Sequence, residues 1–73
     1  MHEYEIIIEE ITPCGGEKYA KRTIVEAEAE SPRAYAEADG RYPIMEIIEK
    51  PDGSTVVITG NGKGNIVRFT FTE

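Results

Sequence analysis

The sequence holds one cysteine and one histidine in 73 residues. A lone thiol rules out an internal disulfide, and this pair cannot build the usual four-ligand structural zinc site. No metal and no cofactor is therefore expected. Long apolar runs are missing from the amino-terminal stretch MHEYEIIIEE, where the apolar run is only Ile6 to Ile8. A secretory leader needs a basic start and an apolar region of about 7–15 residues, and a membrane span needs about 20. That stretch supplies neither, so no membrane partner is expected. With a free thiol as well, the expected location is the cytoplasm. Basic residues are also scarce, with 8 against 14 acidic ones and a net charge of −6. That balance repels nucleic acid and anionic membrane surfaces and favours solubility.

The length fits a single small domain, residues 1–73. A domain of this size buries only about 60% of the surface its unfolded chain exposes. With disulfide and metal excluded, its stability must come from packing alone or from self-association.

Residues 3–12 alternate in part. Tyr4, Ile6 and Ile8 share one face, and Glu3, Glu5 and Glu9 the other, the pattern of a half-buried strand. TPCGGEK then signals a turn. Residues 18–29 read as a second strand, with Thr23, Val25, Ala27 and Ala29 on one face and Ile24, Glu26, Glu28 and Glu30 on the other. Ser31, Pro32 and Gly40 are cap, first-turn and terminating residues of a helix about two turns long, with Ala34, Tyr35 and Ala38 on one face. PIMEIIEK, TVVIT and NIVRFTFTE are three further strands, separated by PDGS and by a glycine loop.

The predicted fold is α+β in the order ββαβββ, with a mainly antiparallel five-stranded sheet and one short helix on one face. Five strands span roughly 20 Å, twice the width of a helix of about 10–12 Å. The sheet must then curl strongly around the helix, or a second copy must cover the rest. Ile7, Ile11, Ile24 and Ile66 fall on the opposite face and are the candidate interface, with a homodimer expected by sheet stacking or edge pairing.

The candidate chemistry is sparse. TGNGKGN resembles a phosphate loop, but such a loop needs Ser or Thr after its lysine and then a helix. Here Gly64 and Asn65 follow Lys63, and a strand follows them, so the expectation is a hairpin loop. KGNIVRF shares Lys-Gly with an RNA-binding strand motif but lacks the stacking aromatics at Asn65 and Val67. Lys18, Lys21 and Arg22 read as a solvated strand end. Cys14 has only His2 as a conceivable activating base, about ten residues away along an extended strand.

Glu3, Glu5, Glu9, Glu26, Glu28 and Glu30 form a candidate acidic face. Carboxylates at alternate strand positions recur about every 6.6–6.8 Å, close to two nucleotide rises of 3.4 Å. Such a face could imitate a phosphate track, although alternation produces this spacing in any acidic strand. Acid–base catalysis would need two carboxylates in a shielded cleft. The favoured expectation is a non-enzymatic protein-binding module that self-associates, its partner unspecified. An acidic decoy for a nucleic-acid-binding protein comes second and a small enzyme third.

Overall fold

The computed structural model describes residues 1–11, 21–40 and 42–73. Cys14 and Lys18 lie outside the described residues. The elements run β1 (His2–Ile11), β2 (Lys21–Ala29), α1 (Pro32–Asp39), β3 (Ile44–Glu49), β4 (Thr55–Gly60) and β5 (Ile66–Thr72). The strands form one antiparallel sheet in the order β2-β1-β5-β4-β3. It is open rather than curled into closure, and β2 and β3 are its edges.

The turn of the β3–β4 hairpin is closed by backbone and side-chain hydrogen bonds. After β3, the Lys50 N–H donates to the Ser54 carbonyl at 2.9 Å, and the Gly53 N–H donates to the Lys50 carbonyl at 3.1 Å. The Asp52 carboxylate accepts from the Ser54 N–H and hydroxyl at 2.9 and 2.6 Å. Gly53 sits at φ 91°, a left-handed conformation that makes this a three-residue loop.

Helix α1 forms for the local reasons its sequence states. Ser31 Oγ accepts from the Ala34 N–H at 3.1 Å, Pro32 opens the first turn, and Gly40 closes the helix at φ 68°. Its inward face differs from the expected one. Ala36 is buried and Tyr35 half-buried, while Ala38 is exposed. The shift follows from topology, because α1 joins the two opposite edges, β2 and β3, and must cross the sheet to do so. It packs on β4 and touches β2 and β3. Eight residues give about 12 Å of helix, whereas β2 to β3 spans about 19 Å. Tyr42 and Ile44 also pack against the core.

The core lies between α1 and this face. Ile6, Val57, Val67, Phe69 and Phe71 are almost fully buried. Tyr35 stands edge-on to Phe69 and Phe71, with ring centroids 6.0 and 5.7 Å apart, and Tyr4 meets Phe71 in the same way at 5.5 Å. Burial pushes the Tyr4 hydroxyl up from its ordinary value, and Glu73 adds to the shift. Thr59 is buried among these side chains, and its hydroxyl donates to the Val67 carbonyl at 2.9 Å. The face away from α1 has no second layer among the described residues. The chain exposes 4957 Å², against about 4,500 Å² for a compact folded monomer of its mass.

Candidate functional site

The register aligns the outer face into transverse rows. Ile24 pairs with Ile7, Ile7 with Thr70, Thr70 with Val56, and Val56 with Ile48. This row crosses all five strands and ends at the free edge of β3. Ile24 is 61% exposed and Ile48 37%.

The neighbouring row is charged: Arg22, Glu9, Arg68, Ile58 and Glu46. Arg68 Nε donates to Glu9 Oε1 at 3.0 Å. That hydrogen bond holds the Glu9 carboxyl below its ordinary range, against partial desolvation, and the Arg68 and Arg22 charges assist. Glu9, Arg68, Ile48, Lys50, Val56, Ile58 and Thr70 line a shallow concavity of about 360 Å³.

The four isoleucines of the candidate interface all share the outer face, but not one patch. Ile7 pairs with Ile24, and Ile11 with Ile66. The Arg22–Glu9–Arg68 row separates the two pairs. The register instead extends the first pair through Val56 to Ile48. Strand alternation alone puts Val56 and Ile58 together, but only the strand order shows that they continue the row from Ile7.

The six acidic candidates also divide. Glu3 pairs with Glu28 and Glu5 with Glu26, an unusual succession of like charges directly opposite each other. Glu9 faces Arg22 and bonds Arg68, so it leaves this block. Glu30 lies beyond the end of β2. The four remaining carboxylates, with Glu73 and Thr72, line an open concavity of about 610 Å³. All of these side chains are exposed, so the site does not supply the shielding that separates an acid from a base. Among the described residues, no group of three or more His, Cys, Asp or Glu is arranged to hold a metal ion.

The glycine loop closes the β4–β5 hairpin. Asn61 Oδ1 accepts from the backbone N–H of Lys63 at 2.8 Å and of Asn65 at 3.3 Å. The Asn61 N–H in turn donates to the Asn65 carbonyl at 3.2 Å. Amides that a phosphate loop would aim at its ligand are here turned onto an asparagine side chain. No helix follows.

No helix among the described residues is long and apolar enough to cross a membrane. Comparison with protein-family models, with curated proteins and with solved structures gives no match. The geometry defines an open α+β sheet that, among the described residues, carries a helix on one face and no element on the other, with apolar side chains exposed on its β3 edge.

Proposed function

We propose that this chain is a non-enzymatic protein-binding domain that acts in the cytoplasm and associates first with a second copy of itself. The observation that carries the reading is the free β3 edge, where Met45, Ile47 and Ile48 are exposed and where the apolar row of the outer face ends. A small domain whose one cysteine rules out an internal disulfide gains stability by covering such surface. The single cysteine supports a reducing location. Stacking two outer faces is the poorer way to cover it. It would bury the Arg22, Glu9 and Arg68 row together with the Glu5 and Glu26 pair, and desolvating charges opposes association. Sedimentation velocity across the micromolar range tests the reading. A dimer is expected, and a chain that stays monomeric throughout contradicts it.

The acidic-decoy reading rests on the Glu3, Glu28, Glu5 and Glu26 block. With Glu9 and Glu30 outside it, the block spans only about 7 Å along the strands, two nucleotide steps rather than a track. It ranks second for that reason. A decoy would be displaced from a cationic partner by moderate salt, whereas self-association through apolar side chains would persist.

A further inference from the structure

The two edges of the sheet differ in chemistry. β3 carries exposed apolar side chains on both of its faces, with Met45 at 59%, Ile47 at 39% and Ile48 at 37%. On β2, Lys21, Arg22, Glu26 and Glu28 line the strand, and Ile24 is its one exposed large apolar residue. Charges along an edge deter pairing with another chain. β3 offers less of this protection.

The parity of the β3 backbone follows from its hairpin. Because the Lys50 N–H bonds to Ser54, Lys50 faces β4. Antiparallel ladders alternate, so the backbone groups of Ile48 and Glu46 also turn to β4. Those of Ile47 and Glu49 then point outward. Among the described residues, nothing pairs with them.

Building on the self-association reading, we propose that β3 pairs antiparallel with β3 of a second copy about a two-fold axis at Ile48. Such an axis, normal to the sheet, keeps every side chain on its own face, so opposed residues must share parity. With the axis at Ile48, the outward groups of Ile47 meet those of Glu49 of the second copy, and each pair exchanges its N–H to carbonyl bonds. Ile48 meets its own counterpart as a close pair without a ladder bond, with Cβ atoms about 4.5–5.5 Å apart. On the same face, Glu46 of each copy stands opposite Lys50 of the other. The two apolar rows become one. Centring the axis on Ile47 would instead oppose Glu46 to Ile48 and place Met45, beside the register shift between Ile44 and Glu46, opposite Glu49. That arrangement matches no charges and sets its outer bonds on the irregular part of the strand.

The test uses the full chain, with sedimentation as the readout and circular dichroism to check folding. Ile48→Lys is expected to give a monomer, because it sets two ammonium groups together at the axis. Glu46→Lys and Lys50→Glu should each weaken association about tenfold, since each turns two attractive pairs into repulsive ones. The double variant should recover most of the loss, a recovery that two separately damaged folds would not give. Ile24→Lys and Ile7→Lys should leave the dimer intact. A dimer that ignores the charge swap, or that breaks with Ile24→Lys and survives Ile48→Lys, overturns β3 pairing and leaves self-association standing. A monomeric parent chain overturns both.

Discussion

Phe69 and Thr70 are neighbours in β5 and look to opposite sides of one sheet. Phe69 is fully buried beneath Tyr35 of α1, whereas Thr70 sits half-buried on a face that no element among the described residues covers. The same strands thus supply a packed core on one side and, on the other, apolar residues divided by charged rows. The contrast separates two uses of apolar side chains. Those facing α1 hold the domain together. On the outer row Val56 is buried as well, and the exposed ends of the row, Ile24 and Ile48, contribute least to folding.

The largest expected difference is between Phe69→Ala and Ile24→Ala. Truncating a fully buried phenylalanine costs about 3–5 kcal/mol. A domain of this length has a total stability on the order of 4–11 kcal/mol, so the Phe69 variant should be close to unfolding at room temperature. Ile24 is 61% exposed, and its truncation should change stability by less than about 0.5 kcal/mol. Urea titration of both variants measures the contrast, and equal losses would break it.

Gly60→Ala comes next and probes how closely β3 is fastened to the outer face. A Cβ at Gly60 would lie 2.6 Å from Met45 Sδ and 3.0 Å from the Asn65 carbonyl oxygen. The methionine can swing away, but the backbone oxygen cannot, so a loss of about 1–3 kcal/mol is expected in thermal unfolding.

Acid should weaken both the Glu9–Arg68 contact on the outer face and the Asp52 turn after β3. The Glu9 carboxyl is depressed first by its hydrogen bond from Arg68, and Asp52 by its bonds from Ser54. A carboxyl with a lowered folded pKa lends stability above its unfolded value, near pH 4. That stability is lost as pH falls through the lower folded value. Glu9→Gln should therefore flatten part of the stability decline below about pH 4, and added salt should shrink the effect. An unchanged acid limb would show that the Glu9–Arg68 pair is energetically silent.

The smallest expected effect has the opposite sign. Glu28 faces Glu3 directly across β1 and β2. Glu28→Gln should raise stability by about a few tenths of a kcal/mol at low salt and by less at high salt. A loss would mean that the acidic block is stabilised by a contact other than its own strands.

Much of the fold is legible in the sequence because its local devices are independent of tertiary context. Ser31, Pro32 and Gly40 mark α1 at both ends, and alternation in Val67, Phe69 and Phe71 marks the inward face of β5. The inward face of α1 is less legible, since the crossing from β2 to β3 decides whether Ala36 or Ala38 meets the sheet. The candidate surface is readable only in part. Alternation places Ile7, Ile11, Ile24 and Ile66 on one face. It carries no information on which strands adjoin. Strand order alone joins Ile7 to Ile48 through Thr70 and Val56, and only cross-strand register reveals that Arg68 neutralises Glu9.

An isotope-filtered nuclear Overhauser measurement on a mixture of labelled and unlabelled chains addresses the β3 contact most directly. Cross-copy signals are expected from the Ile48 methyl groups to Ile48, and none from Ile24 or Ile7. Cross-copy signals from Ile24 or Ile7, with Ile48 silent, would contradict the account.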